Sequence, residues 1–203
     1  MSLASLRLTL CALASVALFS GCAGYPPMNP FFKRFGGFLP SGLSLETPPV
    51  KTPATYWNGE GAKGEPTIVV RRGDQHAYFY RGRKVVGATR ISSGKSGFRT
   101  PTGNYQVIQK DRHHVSTLYG DYVDAEGGVV KANVDVGKDA VPEGSTFRGA
   151  KMPYFLRFYG GYGLHAGRVP NYPASHGCVR LPPEMARHFF DHAAMGTPVL
   201  VQE

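Results

Sequence analysis

Leu164-His165-Ala166-Gly167-Arg168-Val169-Pro170-Asn171-Tyr172-Pro173-Ala174-Ser175-His176-Gly177-Cys178-Val179-Arg180-Leu181-Pro182 sets a cysteine directly behind a glycine, with one histidine two places upstream and another thirteen. Glycine and proline flank these residues, so the stretch reads as an ordered loop rather than a helix face. A free thiol has a pKa of about 8.5, so only a few per cent is thiolate near neutral pH. A neighbouring imidazole that takes the proton turns the sulfur into a nucleophile. That is the simplest chemical reason to gather these residues in one loop.

Outward from the loop the chain reads as strand and turn. Thr67-Ile68-Val69-Val70 is a strand, Arg72-Gly73-Asp74 a turn, and Gln75 to Tyr80 a second strand. Arg81-Gly82-Arg83 turns into a third strand over Lys84 to Ile91, and Tyr105-Gln106-Val107-Ile108 follows a Thr-Pro-Thr-Gly turn as another. Residues 110–150 are polar and carry no clear period; they read as an insertion or a lid. Pro153 to Tyr159 is an apolar strand, and Gly163-Leu164-His165 ends the next. Pro183 to Ala194 is the one convincing helix, with proline suited to its first position and Gly196 to its stop. Thr197 to Val201 closes the chain as a strand. The fold class is mainly β, with one or two short helices.

Ser175-His176-Gly177-Cys178-Val179-Arg180 resembles the catalytic motif of the L,D-transpeptidase (YkuD-like) family of bacterial cell-wall enzymes: a histidine, a spacer, Ser/Thr-His-Gly-Cys, a hydrophobic residue and Asn or Arg. The spacer from His165 to Ser175 is nine residues, shorter than in many members, and Ala166 stands where glycine is frequent. Ser92-Ser93-Gly94-Lys95 followed by Thr100-Pro101-Thr102-Gly103-Asn104-Tyr105 is similar to a second stretch of the same family. The resemblance implies a curved β-sandwich over residues 66–203. It implies Cys178 as nucleophile and His165 as general base, with the base oriented by the backbone carbonyl of Ala166. His176 takes a supporting or substrate-contacting place. The amides of Gly177 and Cys178 are natural oxyanion donors. Ser175 counts among the substrate-binding residues, or orients His176 or satisfies the turn; Arg180 is suited to a substrate carboxylate, with a structural ion pair as the alternative. Tyr159 and Tyr162 line the groove or pack at its rim. The implied reaction is attack on the third-residue carbonyl of a peptidoglycan tetrapeptide stem, release of D-alanine, and transfer of the acyl group to an amine. Hydrolysis of stem peptides or of wall-attached protein is the alternative within the family, and a non-catalytic peptidoglycan-binding lipoprotein is the alternative outside it. Cofactors are expected to be none.

The N-terminus points to export. Arg7 precedes an apolar run from Leu8 to Phe19, twelve residues, and then Ser20-Gly21-Cys22. This is the pattern of a secretory signal, too short to span a bilayer comfortably. Small residues before Cys22 resemble a lipobox, with Cys22 acylated; an ordinary signal cut near Ala23 is the alternative. Residues 1–22 are then a lipoprotein-type signal and 23–65 a tether, since residues 23–64 hold seven prolines and seven glycines in 42 positions. Local order is expected around Phe31-Phe32 and Tyr56-Trp57. With Cys11 removed and Cys22 modified, Cys178 is the remaining thiol of the three cysteines, and an unpaired thiol in an oxidising compartment is a liability unless used. Ala23 lacks the aspartate that retains many lipoproteins at the inner membrane, which favours the periplasmic face of the outer membrane.

The net charge of +9 favours anionic surroundings. Lysine and arginine are scattered rather than clustered, so a cell envelope fits and no nucleic-acid partner is expected. The expected partners are peptidoglycan stem peptides and a membrane, with the protein a monomer. His165, His176 and Cys178 are also a ligand set zinc accepts, but the glutamate base of many hydrolytic zinc sites is missing nearby, Glu184 being closest; no metal is expected. His113-His114 reads as a solvated loop. His188 and His192 are one helical turn apart, a metal-capable spacing without its usual carboxylate partner, and are expected on a surface helix face.

Overall fold

The computed structural model describes residues 55–170 and 172–203. Expectations for the signal, Cys11, Cys22 and Phe31-Phe32 lie outside these residues.

The first sheet joins β1 (Tyr56–Trp57), β2 (Pro66–Arg71), β3 (His76–Arg81), β4 (Lys84–Arg90), β5 (Gly103–Gln106) and β13 (Pro198–Gln202), in the order β1-β4-β3-β2-β13-β5. β2 lies between β3 and β13, so both its edges are paired, and Thr67 to Val70 are all buried because each face of the strand meets its own apolar cluster. Ile68 and Val70 enter the main core with Phe79, Leu164 and Phe189, while Val69 packs with Tyr78, Tyr80 and Leu200. That is the two-residue period of a strand. Gly82, at φ 56°, makes the two-residue turn that pairs Arg81 with Lys84. The sheet begins earlier than the expected boundary at Pro66, because Tyr56 pairs with Ala88 and Trp57 with Gly87.

The second sheet joins β6 (Gln109–Asp111), β10 (Phe155–Tyr159), β11 (Tyr162–Ala166) and β12 (Val179–Leu181), in the order β12-β11-β10-β6. The strand expected over Tyr105 to Ile108 is divided. Val107 N–H donates to the Thr197 carbonyl at 2.8 Å, and Ile108 N–H to the Arg157 carbonyl at 2.8 Å, so the chain passes from one sheet to the other there. The crossing buries Val107 in the core shared by the two sheets.

The helix α1 (Pro183–His192) closes that core with Met185, Ala186, Phe189 and Phe190. It stops two residues short of the expected Ala194, and Gly196 at φ 84° turns the chain into β13. His188 and His192 do not lie on a solvent face as expected. Trp57 stacks on His188 with ring centroids 4.8 Å apart and lies 4.7 Å from His192, leaving both imidazoles half-buried.

The polar insertion is a third sheet of β7 (Val115–Val123), β8 (Val129–Asp135) and β9 (Thr146–Lys151), in the order β8-β7-β9. Leu118, Val129 and Val130 are exposed on it, and its buried side chains are few, Tyr122 and Val134 among them. This sparse burial explains why no clean alternation shows in its sequence. His114, expected in a solvated loop, stacks on buried Phe155 at 4.2 Å.

Candidate active site

β11 and β12 run parallel, pairing Leu164 with Val179, His165 with Arg180 and Ala166 with Leu181. Leu164 and Val179 are buried in the core. Alternation therefore puts Gly163, His165, Cys178 and Arg180 on the opposite face of the pair. Cys178 lies level with Gly163, and His165 is its diagonal neighbour. On adjoining β10, Leu156 faces the core and Phe155 and Arg157 share the outer face with the cysteine.

The loop from Gly167 to Cys178 is shaped by the Ser92–Lys95 segment, which lies beside it as an extra strand. Ser92 and Arg180 exchange backbone hydrogen bonds of 3.0 Å, Ala174 and Ser175 N–H both donate to the Ser93 carbonyl at 3.1 Å, and Lys95 N–H donates to the Ser175 carbonyl at 3.0 Å. Gly94 has no room for a side chain: a Cβ there would stand 2.0 Å from the Phe98 carbonyl oxygen. Thr100 Oγ1 accepts from Gly94 N–H at 3.0 Å and donates to the Gly177 carbonyl at 2.6 Å. Gly177 adopts φ 119°, and a Cβ on it would meet the Tyr162 ring at 2.6 Å.

His165 is buried, and its Nδ1 lies 2.9 Å from the Ala166 carbonyl oxygen. A carbonyl only accepts, so Nδ1 carries the hydrogen and Nε2 keeps the lone pair. Burial pulls the pKa of His165 down to about 4, against the opposing effect of the Ala166 carbonyl and aided by Arg180 and His114. Cys178 Sγ lies 3.6 Å from the Gly161 carbonyl oxygen. Burial raises the thiol pKa, while a backbone hydrogen bond from Gly163 and the charges of Arg157 and Arg180 pull it down. Burial therefore disfavours the charged form of both side chains.

His176 is held between two rings, edge to face with Phe98 at 4.7 Å and stacked on Tyr119 at 4.9 Å. Burial, then Lys95 and Arg180, lower its pKa. Tyr119 comes from β7, so the third sheet reaches the cysteine loop through this stack. Burial raises the Tyr119 pKa, and the charge of Asp135 adds to it. Tyr162 stacks on exposed Tyr159 at 6.0 Å, a rim placement.

A family model of the L,D-transpeptidase catalytic domain (YkuD) matches residues 65–201. The chain belongs to this family. L,D-transpeptidases of known structure share the fold. One from Mycobacterium smegmatis is 22% identical over 68% of this chain and 59% of its own, with TM-score 0.53. One from Stackebrandtia nassauensis is 20% identical over 78% and 62%, with TM-score 0.52. An L,D-transpeptidase solved in complex with imipenem is 21% identical over 67% and 58%, with TM-score 0.52. The chain spans about 60% of the length of these structures. No curated protein matches it.

Ser175 is buried rather than facing a substrate: its hydroxyl accepts from Gly177 N–H at 3.0 Å and donates to the Cys178 carbonyl. That bond commits the Gly177 amide, so of the two expected oxyanion donors the Cys178 amide remains the candidate. The zinc set of His165, His176 and Cys178 is not assembled. Among the described residues these three donors do not come within ligand distance of one another. Arg180, for which an ion pair was the alternative, faces no carboxylate within salt-bridge distance among the described residues. Sequence reasoning missed Arg157, which stands in an ordinary apolar strand pattern, and Tyr119, which stands in the stretch without a period. Arg157 donates to Gln109 Oε1 at 2.6 Å and to the Gly160 carbonyl at 2.8 Å, which fixes its charge beside the thiol.

Proposed function

We propose that this protein is a peptidoglycan L,D-transpeptidase acting through Cys178. One observation carries the reading: Cys178 and His165 share a face of β11 and β12 with the His165 lone pair left on Nε2. His165 Nε2 takes the thiol proton as sulfur attacks the carbonyl of the third stem residue. The Cys178 amide stabilises the resulting oxyanion, and Thr100 holds that peptide through the Gly177 carbonyl. Collapse breaks the bond to D-alanine, whose nitrogen takes the proton back from His165, and a thioester remains. An amine on another stem then attacks the thioester carbonyl, its proton passes to His165, and the thiol is released. With its pKa held low, His165 returns the proton readily to the leaving amine, and the uphill step is its removal from the thiol.

Arg180, half-buried and without a carboxylate partner among the described residues, takes a carboxylate of the stem. Tyr119 and His176 form a wall of the groove. Export with a lipid on Cys22 and a tether ahead of β1 that reaches roughly 30 Å would hold the domain against an anionic polymer beside the membrane.

The deciding experiment mixes purified protein with tetrapeptide muropeptides and separates the products by mass spectrometry. Cross-linked dimers with loss of D-alanine support the transferase. Tripeptides alone show that water is the acceptor, and unchanged substrate with protein that also forms no thioester removes the enzymatic reading.

A further inference from the structure

A second cluster, sharing no residue with the cysteine site, gathers three side chains that the sequence keeps apart. Glu60 follows β1, and His188 and His192 lie one turn apart on α1. Glu60 Oε1 lies 3.6 Å from His192 Nε2 and 3.9 Å from His188 Nδ1, and the three donor atoms fall within 4.8 Å of one another.

The neighbours set the direction of the lone pairs. His192 Nδ1 lies 2.9 Å from the His188 carbonyl oxygen, so it carries the hydrogen and Nε2 presents a lone pair toward Glu60. His188 Nδ1 and Nε2 lie equally far, 3.9 Å, from Glu60 Oε1 and Glu184 Oε1, beyond hydrogen-bond reach, so neither ring nitrogen is committed to a carboxylate and Nδ1 is free to bind a cation. With the His188 hydrogen on Nε2, both imidazoles turn a lone pair to the Glu60 carboxylate, a donor set that a divalent cation takes. Tetrahedral zinc with bonds near 2.0–2.1 Å spaces its ligands about 3.3 Å apart; from 3.6 and 3.9 Å the carboxylate has little to close, while the two imidazole nitrogens, within 4.8 Å, draw together. Trp57 backs the cluster, stacked on His188 and donating from Nε1 to Glu60 Oε1 at 3.1 Å. Such outer contacts orient ligands in metal sites.

We propose that Glu60, His188 and His192 form a divalent metal site, suited to zinc, that clamps the segment after β1 to α1. Two histidines at i and i+4 with one carboxylate supply three ligands, and water completes the tetrahedron. The clamp closes the chain between Glu60 and the C-terminal helix and secures β1, the edge strand of the first sheet. Metal bound only by the folded chain stabilises it by mass action.

Trp57 is the only tryptophan of the chain, so its fluorescence reports on this place alone. The full chain, purified in detergent without a polyhistidine tag and stripped with EDTA, is titrated with Co²⁺ while tryptophan emission is followed. The expected result is saturable quenching at one equivalent, reversed when Zn²⁺ displaces cobalt, without a thiolate-to-cobalt absorption band. Glu60→Gln and His192→Gln abolish the quenching, Cys178→Ala keeps it, and Zn²⁺ raises the melting temperature of the wild type but not of Glu60→Gln. The Glu60 side chain is 75% exposed, so that variant tests the site even if His192→Gln fails to fold. No saturable quenching, quenching that survives Glu60→Gln, or quenching lost in Cys178→Ala overturns the proposal.

Discussion

Thr100 Oγ1 donates to the carbonyl oxygen of Gly177 at 2.6 Å while accepting from the Gly94 amide at 3.0 Å. One buried hydroxyl therefore ties the Ser92–Lys95 segment to the peptide that presents Cys178. A peptide plane is rigid, so fixing the Gly177 oxygen also fixes the direction of the Cys178 N–H. The two sequence stretches that resemble one family thus meet at a single hydrogen-bonded unit.

Thr100→Val keeps the shape and removes both bonds. It should lower kcat by roughly ten- to a hundredfold, as small misplacements in an active site do. It should also cost about 1–3 kcal/mol of stability, from the buried groups left without a partner. Steady-state kinetics beside chemical denaturation check both. Unchanged kcat in a folded variant would remove Thr100 from the positioning of the site.

Cys178→Ala should lose turnover with the fold intact, and Cys178→Ser should be nearly inactive because a hydroxyl is far harder to ionise than a thiol. A carbapenem adduct on the wild type and none on Cys178→Ala, read by intact-protein mass spectrometry, is the companion result. Product formed by Cys178→Ala at near-normal rate would exclude the thiol from the chemistry.

His165 should govern the acid limb of activity. With its pKa near 4 rather than 6.5, the base stays neutral well into acid, and kcat/KM for acylation should fall only as pH approaches 4. Stability follows the same sign. Between pH 6.5 and 4 the unfolded chain binds a proton at this position that the folded chain refuses. The stability is therefore complete above 6.5 and falls by roughly 3 kcal/mol as pH drops toward 4. Denaturation at several pH values should show this slope flattened in His165→Asn.

Tyr119→Ala should raise KM more than it lowers kcat, and His165→Ala should cost more activity than His176→Ala. The reason is that His176 is held by rings on both sides, whereas the Ala166 carbonyl leaves the His165 lone pair on Nε2. Loss of a general base costs on the order of 10²–10⁴-fold. A folded His176→Ala that is the worse of the two would reverse the assignment.

Cys22→Ala should abolish acylation and release the protein from the membrane, while the domain from Thr55 onward keeps its activity. Palmitate labelling with mass spectrometry of the mature N-terminus reads the result. An unmodified wild-type N-terminus at or after Ala23 would replace the anchor with ordinary secretion.

Much of the fold was legible because the strands around the core obey simple rules. β2, β3 and β4 are short, β-branched or aromatic, and separated by turns at Gly73 and Gly82, so local chemistry names them. Pro183 and Gly196 bracket α1 in the same way. The split at Val107 was not legible, because an apolar residue leaving one sheet for another has the same local pattern as one continuing in a strand. β7, β8 and β9 were hidden for a different reason: with few buried side chains, they carry little of the alternation that marks a strand.

The sequence by itself determined the mainly β class, the family, and Cys178 and His165 as the pair to examine, because these follow from residue type, spacing and local turn chemistry. Tertiary structure alone decided which polar groups are already engaged. It committed the Gly177 amide to Ser175, placed Tyr119 against His176, and brought Glu60 to His188 and His192. Those relationships depend on long-range packing, and hydrogen bonds, burial and lone-pair direction arise only once distant segments meet.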